Sequence, residues 1–399
     1  MKKIAYLSNL TPLRGIAALL TVIFHVDLMI GGGGNMLLKF EDSLLLTRMY
    51  LMVDFFFILS GFIMCHVYGE LFINSVKGSD FKKFTIARFA RVYPLHFVTL
   101  TYTIILLFVS AKLGIPKNII LEVENNAGSI FSNLLLIHSM NLHQWFSWVH
   151  ASWSISVEWW AYMLFPFLVA PFSRLNSIGK IVISTLCIVG YLAIMFYLIP
   201  LVKIPPALMD IFGSSGAPMP GESLNVSFQF GFLRCLCGFI LGMIMCQGYK
   251  AEWGKRVLGN GYTLITLALC SFTCMHFALP DVFAVAFFPF ILLSAAYGSA
   301  GMNKFFGNPI LQRLGDWSFS LYLVHQPLLF TINKIMAYLN PIDPTNPPMG
   351  PPPRPDMLMG WIYCFGIIGL ALFISYLTFN FIERPARKFI NPVGSLNTV

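Results

Sequence analysis

Residues 14–25 read RGIAALLTVIFH, an apolar stretch that opens on an arginine and closes on a histidine. At 100° per residue, the eleven steps from Arg14 to His25 make three turns plus about 20°, so both side chains share one helix face about 16 Å apart along the axis. An Arg in hydrocarbon costs roughly 2.5–3.5 kcal/mol on insertion scales, and such groups usually face a bundle interior or an aqueous cavity. Structural roles compete: Arg14 can snorkel to the headgroups, and His25 can be a hydrogen-bonded packing residue. The functional reading places an anion-binding group three turns from a base.

The whole chain has the same character. Its 399 residues are 57% hydrophobic and 11% charged, with mean hydropathy +0.73, too little polar surface for a soluble globule of this size. Apolar runs near spanning length fall at about 10–30, 50–70, 93–113, 152–172, 180–200, 227–247, 260–279, 281–299, 315–338 and 358–381. The expected fold is an all-α membrane protein, a bundle of about ten transmembrane helices with both termini cytoplasmic. On that topology seventeen of the 26 Lys and Arg lie at the cytoplasmic ends, seven lie on the opposite face, and Arg14 and Arg234 lie within spans. This asymmetry accounts for most of the net charge of +9 without nucleic acid.

Lys2 and Lys3 before an apolar stretch resemble a signal peptide, but no small-x-small site precedes Gly31–Gly34, so the segment is expected to be retained. All eight cysteines fall within the apolar runs, and Cys235-x-Cys237 lacks ligand spacing, so neither a disulfide framework nor a metal site is expected. With no internal repeat and no appended soluble region, residues 1–399 are expected to form a single membrane-embedded domain. The loops at 114–151, 201–226 and 340–357, the last containing NPPMGPPPRP, are candidate acceptor surfaces as well as ordinary solvated connectors.

Polar residues recur inside these apolar runs. VDFFFILSGF (53–62) sets Asp54, Ile58 and Gly61 on one stripe, with the small Ser60-Gly61 pair permitting close helix approach. The basic stretch 77–91 reads as an interfacial helix feeding the third span, with Pro94 in that span's first turn. On it Arg88 and Arg91 can converge on one anion, although lipid contact is the ordinary role of such a stripe. In SWSISVEWWAYMLFPF (152–167), Ser154 and Glu158 lie one turn apart, within hydrogen-bonding reach, and the tryptophans set Glu158 near the outer interface. Arg234, deep in the sixth run, needs a partner, with Glu158 and Asp54 as candidates. DWSFSLYLVHQP (316–327) aligns Ser318, Tyr322 and His325, with Asp316 as an expected N-cap and His325 at a candidate kink before Pro327.

LRGIAALLTVIFH, VDFFFILSGFIM, FTIARFARVYPLHF, SWSISVEWWAYMLFPF, LRCLCGFILG, LGDWSFSLYLVHQPL and FIERPARKF occur in this order along most of the chain. Together they resemble the acyltransferase 3 family of integral membrane O-acyltransferases. The resemblance implies transfer of an acyl group, usually acetyl, from cytoplasmic acyl-CoA to a hydroxyl of a saccharide acceptor such as a surface polysaccharide or lipid-linked glycan. It maps the family's essential Arg and His onto Arg14 and His25, and its R-x-x-R pair onto Arg88 and Arg91. The soluble esterase-like domain fused to some members has no counterpart here, so a step depending on it is expected to need another protein.

On this reading Arg14, Arg88 and Arg91 hold the CoA phosphates, His25 is the general base and Glu158 orients it, while Asp27 faces away from the imidazole. Asp54, Ser154, Arg234 and His325 are substrate-binding or structural polar candidates, and Arg234 or a Ser hydroxyl is a candidate oxyanion donor. A ping-pong route through acetyl-His25 stays open. No permanently bound cofactor is expected; acetyl-CoA is a donor substrate. Expected partners are the saccharide or glycolipid acceptor and membrane lipids of a bacterial inner membrane, with a homo-oligomer left open. The rival class is a transporter or flippase using the same polar residues as a path.

Overall fold

The computed structural model describes residues 7–31, 35–208, 221–341 and 356–391. Lys2, Lys3, Gly32–Gly34, residues 209–220 of the 201–226 loop, and NPPMGPPPRP lie outside the described residues. Among the described residues the regular structure is entirely helical. Each apolar run holds one long helix: α1 (Leu10–Met29), α2 (Met52–Phe72), α3 (Gly78–Lys112), α4 (Ser152–Ser173), α5 (Ser177–Ala193), α6 (Gly231–Lys250), α7 (Gly261–His276), α8 (Asp281–Tyr297), α9 (Ser318–Leu339) and α10 (Met357–Thr378).

Seven described helices are long and apolar enough to cross a membrane, or eight if α8 and Ala300–Phe306, bent by 97°, form one span. The chain is a multi-pass membrane protein. The difference from ten has physical causes. α7 has only 16 residues, about 24 Å of helix. α9 is long, but Ser318, Ser320, His325, Gln326 and Lys334 lower its hydropathy; all five are buried against protein.

The centre of the bundle is the α2–α6 pair. A Cβ on Gly61 would stand 1.9 Å from the Phe239 carbonyl oxygen, and one on Gly242 1.9 Å from that of Ile58. Only hydrogen fits there, and the two backbones come into contact. The Asp54–Ile58–Gly61 stripe read from the sequence is the face that α2 turns to α6. A second crossing brings α1 against the short helix Pro309–Asp316, where Gly15 meets Gly315 backbone and Gly315 meets Thr11 backbone.

Two local expectations are corrected. Residues 78–112 form one helix with Pro94 inside it, rather than an interfacial helix followed by a new one. Proline removes one N–H from the ladder, and the buried neighbours Val92, Leu95 and His96 hold the helix on both sides of the gap. Asp316 does not cap α9: it ends the preceding short helix, and Trp317 occupies the N-cap without a side-chain bond. Arg14 instead serves this junction. Its Nη2 donates to the Gly315 carbonyl at 2.9 Å and its Nε to Ser318 Oγ at 2.8 Å, a cation at a helix C-terminus.

Candidate functional site

Among the described residues, a pair of cavities opens into the bundle. The first, about 130 Å³, is lined by Arg14, Arg88, Arg91, Arg387, Ser60, Ser154, Glu158, Tyr162 and Tyr322 among others. The second, about 600 Å³, is lined by His25, His150, Trp153, Arg234, Gln326 and, again, Tyr322. Tyr322 therefore stands between them, its hydroxyl 2.8 Å from Ser154 Oγ. Arg14 and His25, on one face of α1, open into different cavities.

The arginine pair enters the first cavity from α3. Arg88 Nη2 donates to Tyr68 OH at 2.9 Å, and its guanidinium lies over the Tyr68 ring at 5.1 Å from the centroid. Arg91 Nη1 donates to Glu383 Oε1 at 2.6 Å, with its guanidinium over Phe319 at 5.3 Å. The two side chains line one space, as their i, i+3 spacing allows.

Glu158 requires a correction. Its carboxylate accepts from Ser60 Oγ and, at 2.5 Å, from Tyr162 OH, and it lines the arginine cavity rather than the one holding His25. It bonds neither His25 nor Ser154, whose hydroxyl meets Ala151 O and Tyr322 OH instead. Helix spacing brings Ser154 and Glu158 to one face, but the neighbouring α2 and α9 offer each a nearer partner.

The neighbour of His25 is His325. Their rings lie 4.8 Å apart, and His325 Nε2 is 3.3 Å from His25 Nδ1. His25 Nδ1 is also 2.8 Å from the Thr21 carbonyl oxygen, and His325 Nδ1 is 3.2 Å from that of Leu321. Carbonyls only accept, so in the neutral rings both Nδ1 atoms carry the proton. His325 Nε2 then accepts from His25, and His25 Nε2 keeps its lone pair. This is the tautomer a base acting through Nε2 requires.

Arg234 resolves between its two candidate partners in favour of Asp54. Nε and Nη2 form a fork to the carboxylate at 3.0 and 2.6 Å, and Nη1 reaches the Val226 carbonyl at 3.0 Å, with both residues fully buried. The guanidinium lies within cation–π range of Tyr50 and Trp153. Asp27 accepts from the Met36 and Leu37 backbone N–H groups, fixing the chain after α1. That agrees with its facing away from His25.

Sequence reasoning passed over Glu383, Arg387, His150, Gln326 and Trp153. Glu383 had a visible signal, an acid beside basic residues at the end of an apolar run. His150 lies in the 114–151 loop, a candidate acceptor surface on its sequence, but no local signal marks it within that loop, whose backbone path only tertiary structure sets. Its Nε2 meets the Leu121 carbonyl at 3.0 Å, tying that loop to the short helix Ile119–Glu122 at the second cavity.

A helical membrane bundle whose polar groups gather around two adjoining cavities is the class these features define. Residues 8–380 match the family model Acyl_transf_3, described as an acyltransferase domain. The acyltransferase MdmB of Streptomyces mycarofaciens is 27% identical over 357 residues, 84% of this chain and 82% of that protein. The O-acetyltransferase OatA of Staphylococcus aureus is 23% identical over 408 residues, 96% of this chain but 57% of OatA, so the chain spans little more than half of that relative. No solved structure matches the chain. The protein belongs to the acyltransferase 3 family.

Proposed function

We propose that the protein is an integral inner-membrane O-acyltransferase that moves an acyl group, acetyl by preference, from cytoplasmic acyl-CoA to a hydroxyl of a saccharide acceptor. The observation that carries this reading is the pair of cavities sharing Tyr322, one rimmed by arginines and the other holding a histidine with a free Nε2 lone pair. The arginines suit the phosphates of the donor, through forked charge-assisted bonds. The larger cavity suits an acceptor, with aromatic faces at Trp153 and Phe146 and amides at Asn118, Gln326 and Asn333.

In the proposed reaction His25 Nε2 takes the acceptor's hydroxyl proton as the oxygen attacks the thioester carbonyl. The C–O bond forms, the C–S bond breaks, and the imidazolium returns the proton to the departing thiolate. A positioned general base contributes roughly 10²- to 10⁴-fold. Arg234 has five N–H groups, of which three are bonded within the protein. The other two are available to the oxyanion.

The test supplies acetyl-labelled acetyl-CoA to the cytoplasmic side of membrane vesicles that contain the protein and surface glycan. Label in base-labile ester on the glycan is the expected result. Movement of unmodified glycan with acetyl-CoA left intact would overturn the proposal in favour of transport.

A further inference from the structure

We propose that Arg387, held by the buried carboxylate of Glu383, is a further ligand for the phosphates of the donor and completes a four-arginine ring in the first cavity. The inference rests on the acyl-CoA reading and names residues that reading does not include.

The backbone sets this up. α10 ends at Thr378, residues Phe379–Glu383 form a π-helical turn, and a short helix Arg384–Ile390 follows. A π-turn changes the angular register of the residues after it, and such turns frequently sit at functional sites. Here it accompanies an inward-facing Glu383, 2% exposed in a segment that is otherwise little buried. Glu383 accepts from Arg91 Nη1 at 2.6 Å, from Ser320 Oγ at 2.7 Å and from Arg387 Nη2. One carboxylate thus grips two guanidiniums and holds them side by side at the cavity wall.

The charge balance points to an anion. Four guanidiniums line the cavity, from Arg14, Arg88, Arg91 and Arg387. Glu158 lines it, and Glu383 bonds two of the four arginines. Asp316 adds a third carboxylate close enough to Arg14 and Arg91 to interact with them electrostatically, and even with all three ionised this group keeps an excess of positive charge. Hydrogen bonding points the same way: Nε of Arg88 and Nε of Arg387 are both buried without a hydrogen-bond partner. A buried donor left unmet is costly, more so when charged, unless a ligand satisfies it. A group with several negative charges and many acceptor oxygens answers both observations, and the phosphates of CoA have that chemistry. An anionic lipid headgroup shares it, so the test separates the two.

The experiment titrates the purified full-length protein with CoA and, separately, with phosphatidylglycerol, and measures transfer kinetics with acetyl-CoA. Lys388→Ala removes an exposed cation one residue away that does not line the cavity, and is expected to bind CoA as wild type does. Arg387→Ala is expected to weaken CoA about tenfold, the loss of one charge-assisted contact. Arg387→Lys is expected to recover part of that loss. Glu383→Gln is expected to raise KM for acetyl-CoA while leaving kcat and the acceptor KM near wild type, a split that mere destabilisation does not produce. Wild-type protein that binds no CoA overturns the donor reading itself. Wild-type binding that survives unchanged in Arg387→Ala, or a loss confined to phosphatidylglycerol, overturns the role of Arg387 alone.

Discussion

His325 Nε2 lies 3.3 Å from His25 Nδ1, joining two helices whose histidines are 300 residues apart in sequence. With the Thr21 carbonyl, it fixes which nitrogen of His25 holds the proton. His25→Ala is expected to abolish transfer at normal membrane levels. His325→Ala is expected to lower kcat about tenfold or more at little change in donor KM, because the imidazole loses its orienting neighbour. His325→Gln, which keeps an acceptor, should recover part of the rate. Equal kcat in wild type and His325→Ala would remove the orienting role.

Tyr322 separates the arginine cavity from the histidine cavity, and Ser154 fixes its hydroxyl. Tyr322→Ala is expected to join the two spaces and admit water to the thioester. Acetyl-CoA consumption in the absence of acceptor should rise several-fold, while transfer per acetyl-CoA consumed falls. A thiol-release assay run with and without acceptor measures both.

Asp54 and Arg234 form a fully buried fork. Removing one partner of such a pair leaves an uncompensated charge, at about 3–5 kcal/mol. Asp54→Asn is therefore expected to lower the thermal midpoint in detergent sharply. The double variant Asp54→Leu/Arg234→Met should regain much of that stability, yet stay inactive if Arg234 supplies oxyanion contacts.

Gly61 and Gly242 stand at the α2–α6 contact, where an added methyl would meet a carbonyl oxygen at 1.9 Å. Backbone cannot yield as a flexible side chain can. Gly61→Ala or Gly242→Ala is expected to reduce folded protein recovered by gel filtration. Gly366→Ala, a site in α10 with open space around it, should behave as wild type.

His138 and His150 lie outside the spans, and burial pushes them down to about 3 and about 4, respectively. Unfolded histidine titrates near 6.5. Between the folded and unfolded values the unfolded chain binds more protons, so the stability contribution is complete above about pH 6.5 and declines as pH falls toward 4. Thermal unfolding at pH 5 is expected at lower temperature than at pH 7.5. His150→Gln should shrink that difference, and a midpoint equal at both pH values would contradict the buried neutral state.

Much of the bundle was legible because hydropathy and helical period are local. Each of the ten apolar runs holds a helix, and the Asp54–Ile58–Gly61 stripe faces one neighbour, α6. Local signals failed where neighbours intervened. Pro94 announced a helix start, yet flanking burial carries α3 through it. The sequence offers Glu158 as a partner for His25, yet Ser60 and Tyr162 hold it in the other cavity. The sequence offers His325 as a polar residue at a candidate kink, and only the packing of α1 on α9 brings its ring to His25.

The sequence alone determined that Arg14 and His25 share a helix face and that apolar helices surround them, since a fixed rise and rotation per residue requires no other part of the chain. Tertiary structure alone decided the partners: His25 with His325, Arg234 with Asp54, and Glu383 with Arg91 and Arg387. The first two pairs and Arg91–Glu383 join residues between 180 and 300 positions apart. Their contacts depend on how each helix is rotated and crossed against its neighbours, and backbone approaches such as Gly61 on Phe239 fix those angles.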